Sequence, residues 1–167
     1  MNIEIERKFL LKSKPNINPD ELITIDQWYW KNSQGSWERV RECNSTIKGR
    51  YFVHTIKKTI SKGVNMEDEK ILTEEEYNYY LSICKLKHSQ SRNLKKERLV
   101  YKMDKLKWEV DVFKNELNLI VAEIEIPKKT FKLQIPDYIK NQILLEVTGL
   151  KQFSNKNLSK PVHSVSI

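Results

Sequence analysis

Charged side chains recur at every second position in most of the extended segments of this chain. Near the start of the sequence, Glu4, Glu6 and Lys8 alternate with apolar residues. Successive side chains on a β-strand point to opposite faces, so such a run places its charges on one face. Carboxylates grouped in this way can bind a hard divalent cation, and grouped Lys and Arg side chains can bind phosphate. The spacing therefore indicates a site for a metal ion together with a phosphorylated ligand.

The signs of these charges are sorted by segment, whereas a solvated surface usually mixes both signs. Such sorting favours an acidic wall and a basic wall around a wet interior that holds a cation and an anion, because unpaired buried ions are costly. The alternative is a one-sided sheet whose charges face solvent. The predicted interior acids are Glu4, Glu6, Glu67, Glu69, Glu109, Asp111, Glu123 and Glu125, and the bases are Lys8, Arg39, Arg41, Lys57, Lys96 and Arg98.

The elements that must position these residues are mostly strands. Alternation predicts strands near 2–11, 23–31, 37–44, 50–60, 64–72, 95–103, 106–114 and 118–127, with a short additional strand near 143–148 outside the barrel. A capping box of Thr73 and Glu76 predicts a helix over 74–86, and shorter helices are expected near 19–23, 136–142 and 155–159. We therefore predict a mainly β, single domain over 1–167, in which eight strands form a closed antiparallel barrel with a few flanking helices.

Composition restricts the metal and the partner. The net charge of +8 suits an anionic partner. The two cysteines have no CxxC spacing and the histidines His54, His88 and His163 are scattered, so carboxylates would have to bind any metal, which favours Mg²⁺ or Mn²⁺. No apolar run could span a bilayer and no signal peptide is evident, so we expect a cytoplasmic protein without membrane contact.

The sequence E-I-E-R-K at 4–8 resembles the ExExK signature that opens proteins of the CYTH family, the triphosphate tunnel metalloenzymes. The resemblance continues in order to about Leu158. Its later motifs are I-D-Q-W-Y-W at 25–30, R-V-R at 39–41, T-I-K at 55–57, E-D-E at 67–69, K-E-R at 96–98, W-E-V-D-V-F at 108–113, A-E-I-E-I at 122–126, E-V-T at 146–148 and F-S-N at 153–155. Asn65 departs from the family pattern, which often has arginine there, and Phe153 stands where tyrosine is common.

This resemblance implies an eight-stranded tunnel that hydrolyses or rearranges triphosphates with Mg²⁺ or Mn²⁺. Lys8 then has two roles open to it, general base or simple phosphate ligand, and Tyr29 matches a tyrosine that partners this lysine. The implied metal-site residues are Glu4, Glu6, Glu123 and Glu125, with Glu69 and Asp111 nearby. The implied triphosphate-binding residues are Lys8, Arg39, Arg41, Lys57, Lys96 and Arg98.

Hydrolysis of inorganic tripolyphosphate to pyrophosphate and phosphate is the leading functional hypothesis, because the domain is short and shows no nucleoside-binding module. A class IV adenylyl cyclase or a thiamine or nucleoside triphosphatase is the alternative enzyme. A non-catalytic binder of polyphosphate or nucleic acid is the alternative of another class, although nucleic acid is a less expected partner and such a binder would not need the carboxylates. The predicted helix 74–86, with Trp28 and Trp30, would pack on the outside of the barrel or against a second subunit in a homodimer.

Overall fold

A computed structural model describes residues 2–86 and 91–161, with the backbone alone at 160–161. Its strands are β1 (Asn2–Leu11), β2 (Glu21–Lys31), β3 (Trp37–Ser45), β4 (Gly49–Ser61), β5 (Val64–Leu72), β6 (Arg92–Met103), β7 (Leu106–Phe113), β8 (Ile120–Glu125), β9 (Ile143–Glu146) and β10 (Lys160–Pro161). Its helices are α1 (Glu74–Leu86), α2 (Asp137–Lys140) and α3 (Asn155–Leu158), and a 3₁₀ turn covers Lys151–Phe153.

Eight of these strands form a closed antiparallel barrel, as predicted. Around the barrel the order is β1, β5, β4, β3, β2, β6, β7 and β8, and the pairing of β8 with β1 closes the ring. Strand β1 pairs with β5 only over Asn2–Ile5. From Phe9 onward, the same edge of β1 pairs with β9. The predicted extra strand near 143–148 thus lies beside the ring and extends its wall.

The outer face of β2, β3 and β4 is apolar and is covered by α1. Trp30 and Phe52 are buried there against Tyr77 of the helix, and Trp28 packs at the edge of the same cluster. The tryptophans therefore point outward, as predicted, and stabilise the helix on the barrel. The helix begins with the predicted capping box, in which the backbone N–H of Glu76 donates to Thr73 Oγ1 at 3.1 Å and the backbone N–H of Thr73 donates to Glu76 Oε1 at 3.0 Å.

A second apolar cluster lies on the outer face of β1, β6, β7 and β8. Trp108 and Ala122 are fully buried in it, and the segment from Phe131 to Ile143, with Ile139 of α2, packs over it. Each fully buried large side chain of this kind stabilises the fold by about 1.5–3 kcal/mol. Since alternate residues of each strand face out into these clusters, the charged positions between them must face into the barrel.

Three local features differ from the sequence predictions. The helix expected near 19–23 is absent, because Glu21–Ile23 pair with β6 opposite Arg98–Val100 and extend β2 toward its start. Strand β6 begins earlier than predicted, at Arg92, where β2 is also its partner. Strand β10 was not predicted, since two residues give no alternating pattern. The short helices expected near 136–142 and 155–159 are confirmed as α2 and α3.

None of the helices within the described residues is both long and apolar enough to cross a membrane. Of the three histidines, His54 lies on the outer face of β4, where it contacts Glu38, and His88 and His163 lie outside the described residues.

Candidate functional site

The charged residues predicted to line the interior do face into the barrel, which excludes the one-sided sheet with charges in solvent. Each of the predicted cations meets a carboxylate there. The ion pairs join Lys8 to Glu123 at 2.9 Å, Arg39 to Glu67 at 3.6 Å, Arg41 to Glu69 at 3.0 Å, Lys57 to Glu6 at 3.7 Å, Lys96 to Asp111 at 2.7 Å and Arg98 to Asp111 at 2.8 Å. The two walls expected from the sorted charges therefore contact each other directly, which the sequence alone did not predict.

Asp111 is the most enclosed of these carboxylates. Arg98 binds it through two nitrogens, Nε at 2.8 Å and Nη2 at 3.0 Å, and the fully buried Nζ of Lys96 lies 2.7 Å away. Burial opposes the charge on Asp111, but Arg98 and Lys96 outweigh it and hold the pKa of Asp111 well below its ordinary value. Burial also lowers the pKa of Lys96 to about 8, although Asp111 opposes this shift. This buried triad is an ion-paired element of the barrel in this structure.

Three other carboxylates, Glu4, Glu67 and Glu125, crowd together without enough positive charge. The carboxyl group of Glu4 lies close enough to those of Glu67 and Glu125 to interact with both. Burial is the largest factor that raises the pKa of each, and repulsion between the carboxylates adds to it. In the described part of the chain, Glu4 and Glu125 have no cation within ion-pair distance. A divalent cation would supply the missing charge, and ligands that are all oxygen suit Mg²⁺ or Mn²⁺.

The structure does not present a finished metal cage. Within residues 2–86 and 91–161, no group of three or more His, Cys, Asp or Glu side chains is arranged to hold a metal ion. Of the predicted metal-site residues, Glu6, Glu69, Asp111 and Glu123 are held in ion pairs. Glu125 borders an open cavity of about 380 Å³, which is also lined by Glu109 and by the β6–β7 hairpin from 102 to 107. Water or ligand oxygens would have to complete the coordination of a cation beside Glu4 and Glu125.

Two arginines on the inward face of β3 have buried donors without a hydrogen-bond partner. Arg39 and Arg41 point inward from β3, and the Nε group of each is buried with no hydrogen-bond partner in the described structure. A buried N–H without an acceptor costs about 1–3 kcal/mol. Burial lowers the pKa of Arg41, and the neighbouring Arg39 lowers it further. Both side chains therefore favour an additional anionic acceptor inside the barrel.

Lys8 and Tyr29, the predicted catalytic pair, lie close enough to interact. Lys8 Nζ lies 2.9 Å from Glu123 Oε1 and donates to the backbone oxygen of Phe153 at 3.2 Å. Burial opposes the charge on Lys8, but Glu123 and Glu6 outweigh it and raise its pKa. Lys8 is therefore held as a cation, which favours the phosphate-ligand role over the general-base role in this state.

The segment after β9 supplies contacts that the sequence did not reveal. Asn155 Oδ1 accepts from Lys96 Nζ at 3.4 Å, and Phe153 contacts Lys8 through its backbone oxygen. The F-S-N motif at 153–155 was the available signal, but nothing in it shows which strands it reaches. Asn65, which stands where the family often has arginine, is buried and donates from Nδ2 to Glu6 Oε1 at 3.4 Å.

Comparison with known proteins agrees with this architecture. The family model described as CYTH domain matches residues 2–161. The chain belongs to the CYTH family. A curated relative, the inorganic triphosphatase of Acetivibrio thermocellus, is 30% identical over 162 residues, which cover 96% of this chain and 95% of that protein.

Solved structures of CYTH-like barrels share the fold. The inorganic triphosphatase NE1496 superposes with a TM-score of 0.58 at 23% identity and covers 96% of this chain and 99% of its own. HpAC1 from Hippeastrum, described as having a dominant triphosphatase activity, superposes with a TM-score of 0.54 at 15% identity and covers 75% and 80% of the two chains. At these identities the likeness establishes the fold of this CYTH protein.

Proposed function

We propose that this CYTH protein is a metal-dependent triphosphatase whose substrate is inorganic tripolyphosphate, cleaved to pyrophosphate and phosphate inside the barrel. The coarser part, triphosphatase activity, is supported by the family and by the full-length relative named an inorganic triphosphatase. The single observation that carries the proposal is the pair of unpaired Nε donors on Arg39 and Arg41 in the same interior as the uncompensated carboxylates Glu4 and Glu125. An anion and a cation bound together would satisfy both.

The inward cations bind and orient the phosphate chain in this proposal. Arg39 and Arg41 donate to phosphate oxygens through groups that have no other partner, and a planar guanidinium fits phosphate in two-point contacts. Lys8, Lys57, Lys96 and Arg98 already meet carboxylates, so each would exchange or share its present partner when substrate enters. Phosphoryl transfer depends on this positioning and on neutralising charge.

Glu4, Glu6, Glu123 and Glu125 are the proposed metal-site residues. A Mg²⁺ or Mn²⁺ ion bound there would neutralise phosphate oxygens and lower the pKa of a bound water. Glu69 and Asp111 stay predictions as metal-site residues, and, like Glu6 and Glu123, each would have to leave an ion pair to bind a cation.

Lys8 acts as a phosphate ligand in this account, with Tyr29 beside it. A Lys8→Arg variant keeps the cation and cannot serve as a base near neutral pH, so it separates the two roles. We expect Lys8→Arg to keep most of its kcat and an unchanged pH–rate profile, whereas Lys8→Met loses activity. A loss of about 10²-fold or more in Lys8→Arg as well, with a missing limb in the pH profile, would assign the base role instead.

Phosphate release from tripolyphosphate, ATP, thiamine triphosphate and pyrophosphate, measured with Mg²⁺, with Mn²⁺ and with chelator, tests the proposal. We expect the highest kcat/KM with tripolyphosphate and none with chelator. Removal of one preorganised donor typically costs about 10²–10³-fold in kcat, so Arg39→Gln should lose activity on that scale. Arg50→Gln is the matched control, since Arg50 lies outside the barrel and pairs with Glu42 and Glu74.

A cyclic product and pyrophosphate formed from ATP would instead identify a cyclase. Salt-sensitive binding of nucleic acid without metal and without hydrolysis would identify a binding protein. The homodimer and the cytoplasmic location stay predictions, and sedimentation as a monomer at working concentration would reject the first.

A further inference from the structure

Four cations lie near one tryptophan beyond the ion-paired interior. We define the Trp37 cluster as Lys31, Trp37, Arg92, Lys151 and Lys156. Lys156 Nζ lies 4.9 Å from the centre of a Trp37 ring and Arg92 Cζ lies 5.8 Å from it. Lys31 pairs with Trp37 across β2 and β3. The cluster therefore joins the ends of three strands to the segment that follows β9.

The Trp37 cluster continues the inward faces that carry the candidate site. Trp37 is two residues before Arg39 on β3, and Lys31 is two residues after Tyr29 on β2. Arg92 pairs with Tyr29 and lies on the same face of β6 as Lys96. Because alternate residues share a face and each residue rises about 3.3 Å, Lys31 and Trp37 lie about 7 Å along the strands from the Tyr29–Arg39 pair, whereas Arg92 lies level with Tyr29.

This cluster differs from the interior in having no carboxylate. In the described part of the chain, none of its four cations lies within ion-pair distance of an acidic side chain, whereas every predicted interior cation has such a partner. Burial, followed by the charges of Arg92, Lys31 and Lys151, lowers the pKa of Lys156. Like charges held together without a counterion are unfavourable, so the cluster favours an anion.

We propose that the Trp37 cluster is an auxiliary phosphate-binding site, which holds the part of a linear polyphosphate chain that extends beyond the three phosphates bound in the barrel. The proposal rests on the proposed function for the position of those three phosphates. Trp37 positions the cations, since two of them already lie against its rings at cation–π distance. Two cations already occupy cation–π positions at Trp37, and this favours phosphate over a stacked nucleobase.

The test compares the affinity of a defined-length polyphosphate, several units longer than the triphosphate, with that of tripolyphosphate itself. Calorimetry with chelator present gives both values without turnover, so it is informative even if the wild type hydrolyses nothing. We expect the longer chain to bind more tightly to the wild type. Each exposed ion pair between a lysine and a phosphate contributes only modestly to the binding free energy. The Lys31→Gln/Lys156→Gln variant, which removes two such lysines, should therefore bind the longer chain about 5- to 30-fold more weakly.

The matched control is Lys128→Gln/Lys132→Gln, which removes the same charge from exposed lysines near α2. We expect this control to bind both ligands as the wild type does, and the cluster variant to keep wild-type affinity for tripolyphosphate. Equal losses in the two variants would overturn the proposal, because they would show a response to net charge alone. The proposal would also be overturned if the cluster variant bound the longer chain with wild-type affinity. A further contrary result would be ATP binding that is tighter than polyphosphate binding and that requires Trp37.

Discussion

Two carboxylate substitutions with different expected effects on the free energy of unfolding test how charge is compensated inside the barrel. Asp111→Asn would leave Lys96 and Arg98 buried beside a neutral amide, although both now contact the Asp111 carboxylate within 3.0 Å. Breaking a buried ion pair by removing one partner costs about 3–5 kcal/mol. Since total stability is about 5–15 kcal/mol, we expect a large fall in the free energy of unfolding.

Glu125→Gln should behave differently. This substitution removes one member of the crowded group of Glu4, Glu67 and Glu125, whose pKa values are raised by burial and mutual repulsion. We expect the free energy of unfolding to stay the same or to rise by about 0.5–1 kcal/mol in the absence of metal. With Mg²⁺ or Mn²⁺ added, the wild type should gain stability by ligand linkage and Glu125→Gln should gain less.

Urea denaturation followed by tryptophan fluorescence measures both effects, first with chelator and then with metal. A similar m-value in all variants shows that the same amount of surface is exposed on unfolding. An Asp111→Asn variant as stable as the wild type would show that the buried cations do not depend on this carboxylate. A loss of several kcal/mol in Glu125→Gln with chelator present would show that the Glu125 carboxylate stabilises the metal-free barrel, contrary to this prediction.

Gly63→Ala should destabilise the barrel by about 2 kcal/mol or more, because φ at this residue is +73° and the added methyl group would lie 2.8 Å from a backbone oxygen of β1. Denaturant melts measure this loss. Gly49→Ala is the control for backbone conformation alone, since φ there is +74° and no other atom lies within 4 Å of the added methyl group. Thr73→Ala should cost about 1 kcal/mol in thermal unfolding by removing the cap of α1, whereas Thr73→Ser should restore it. Glu146 is bound by Arg7 at 2.8 Å, and this hydrogen bond lowers the pKa of Glu146 from 4.5. The pair therefore stabilises the fold above about pH 4.5 and loses this contribution as the pH falls. The free energies of unfolding of the wild type and of Glu146→Gln should differ by less than about 1 kcal/mol at neutral pH and become equal in acid.

The barrel could be predicted from the sequence because its strands carry a strict alternation on both faces. In β7, Trp108 and Val110 point outward and Glu109 and Asp111 point inward, so the pattern fixes both the strand and its orientation. The helix α1 was equally predictable from the capping box at Thr73. The ends of strands were less predictable. Glu21, for example, belongs to β2 because it pairs with β6, and no local sequence signal indicates this long-range pairing.

The sequence predicted which residues line the site, but it did not predict which of them form ion pairs with one another. The sequence places Asp111 and Glu125 on similar inward positions, but the barrel surrounds the first with Arg98 and Lys96 and leaves the second beside Glu4. That difference depends on the stagger between strands, which alternation does not encode. The contact of Asn155 with Lys96 depends on the path of the segment after β9 and has no local signature.

The most direct measurement is a crystal structure of the protein grown with Mn²⁺ and a non-hydrolysable tripolyphosphate analogue, with anomalous scattering used to locate the metal. We expect manganese beside Glu4 and Glu125, and phosphate oxygens within hydrogen-bond distance of the Nε groups of Arg39 and Arg41. Manganese and phosphate found only on the outer surface, with those two donors still unpaired, would contradict this expectation.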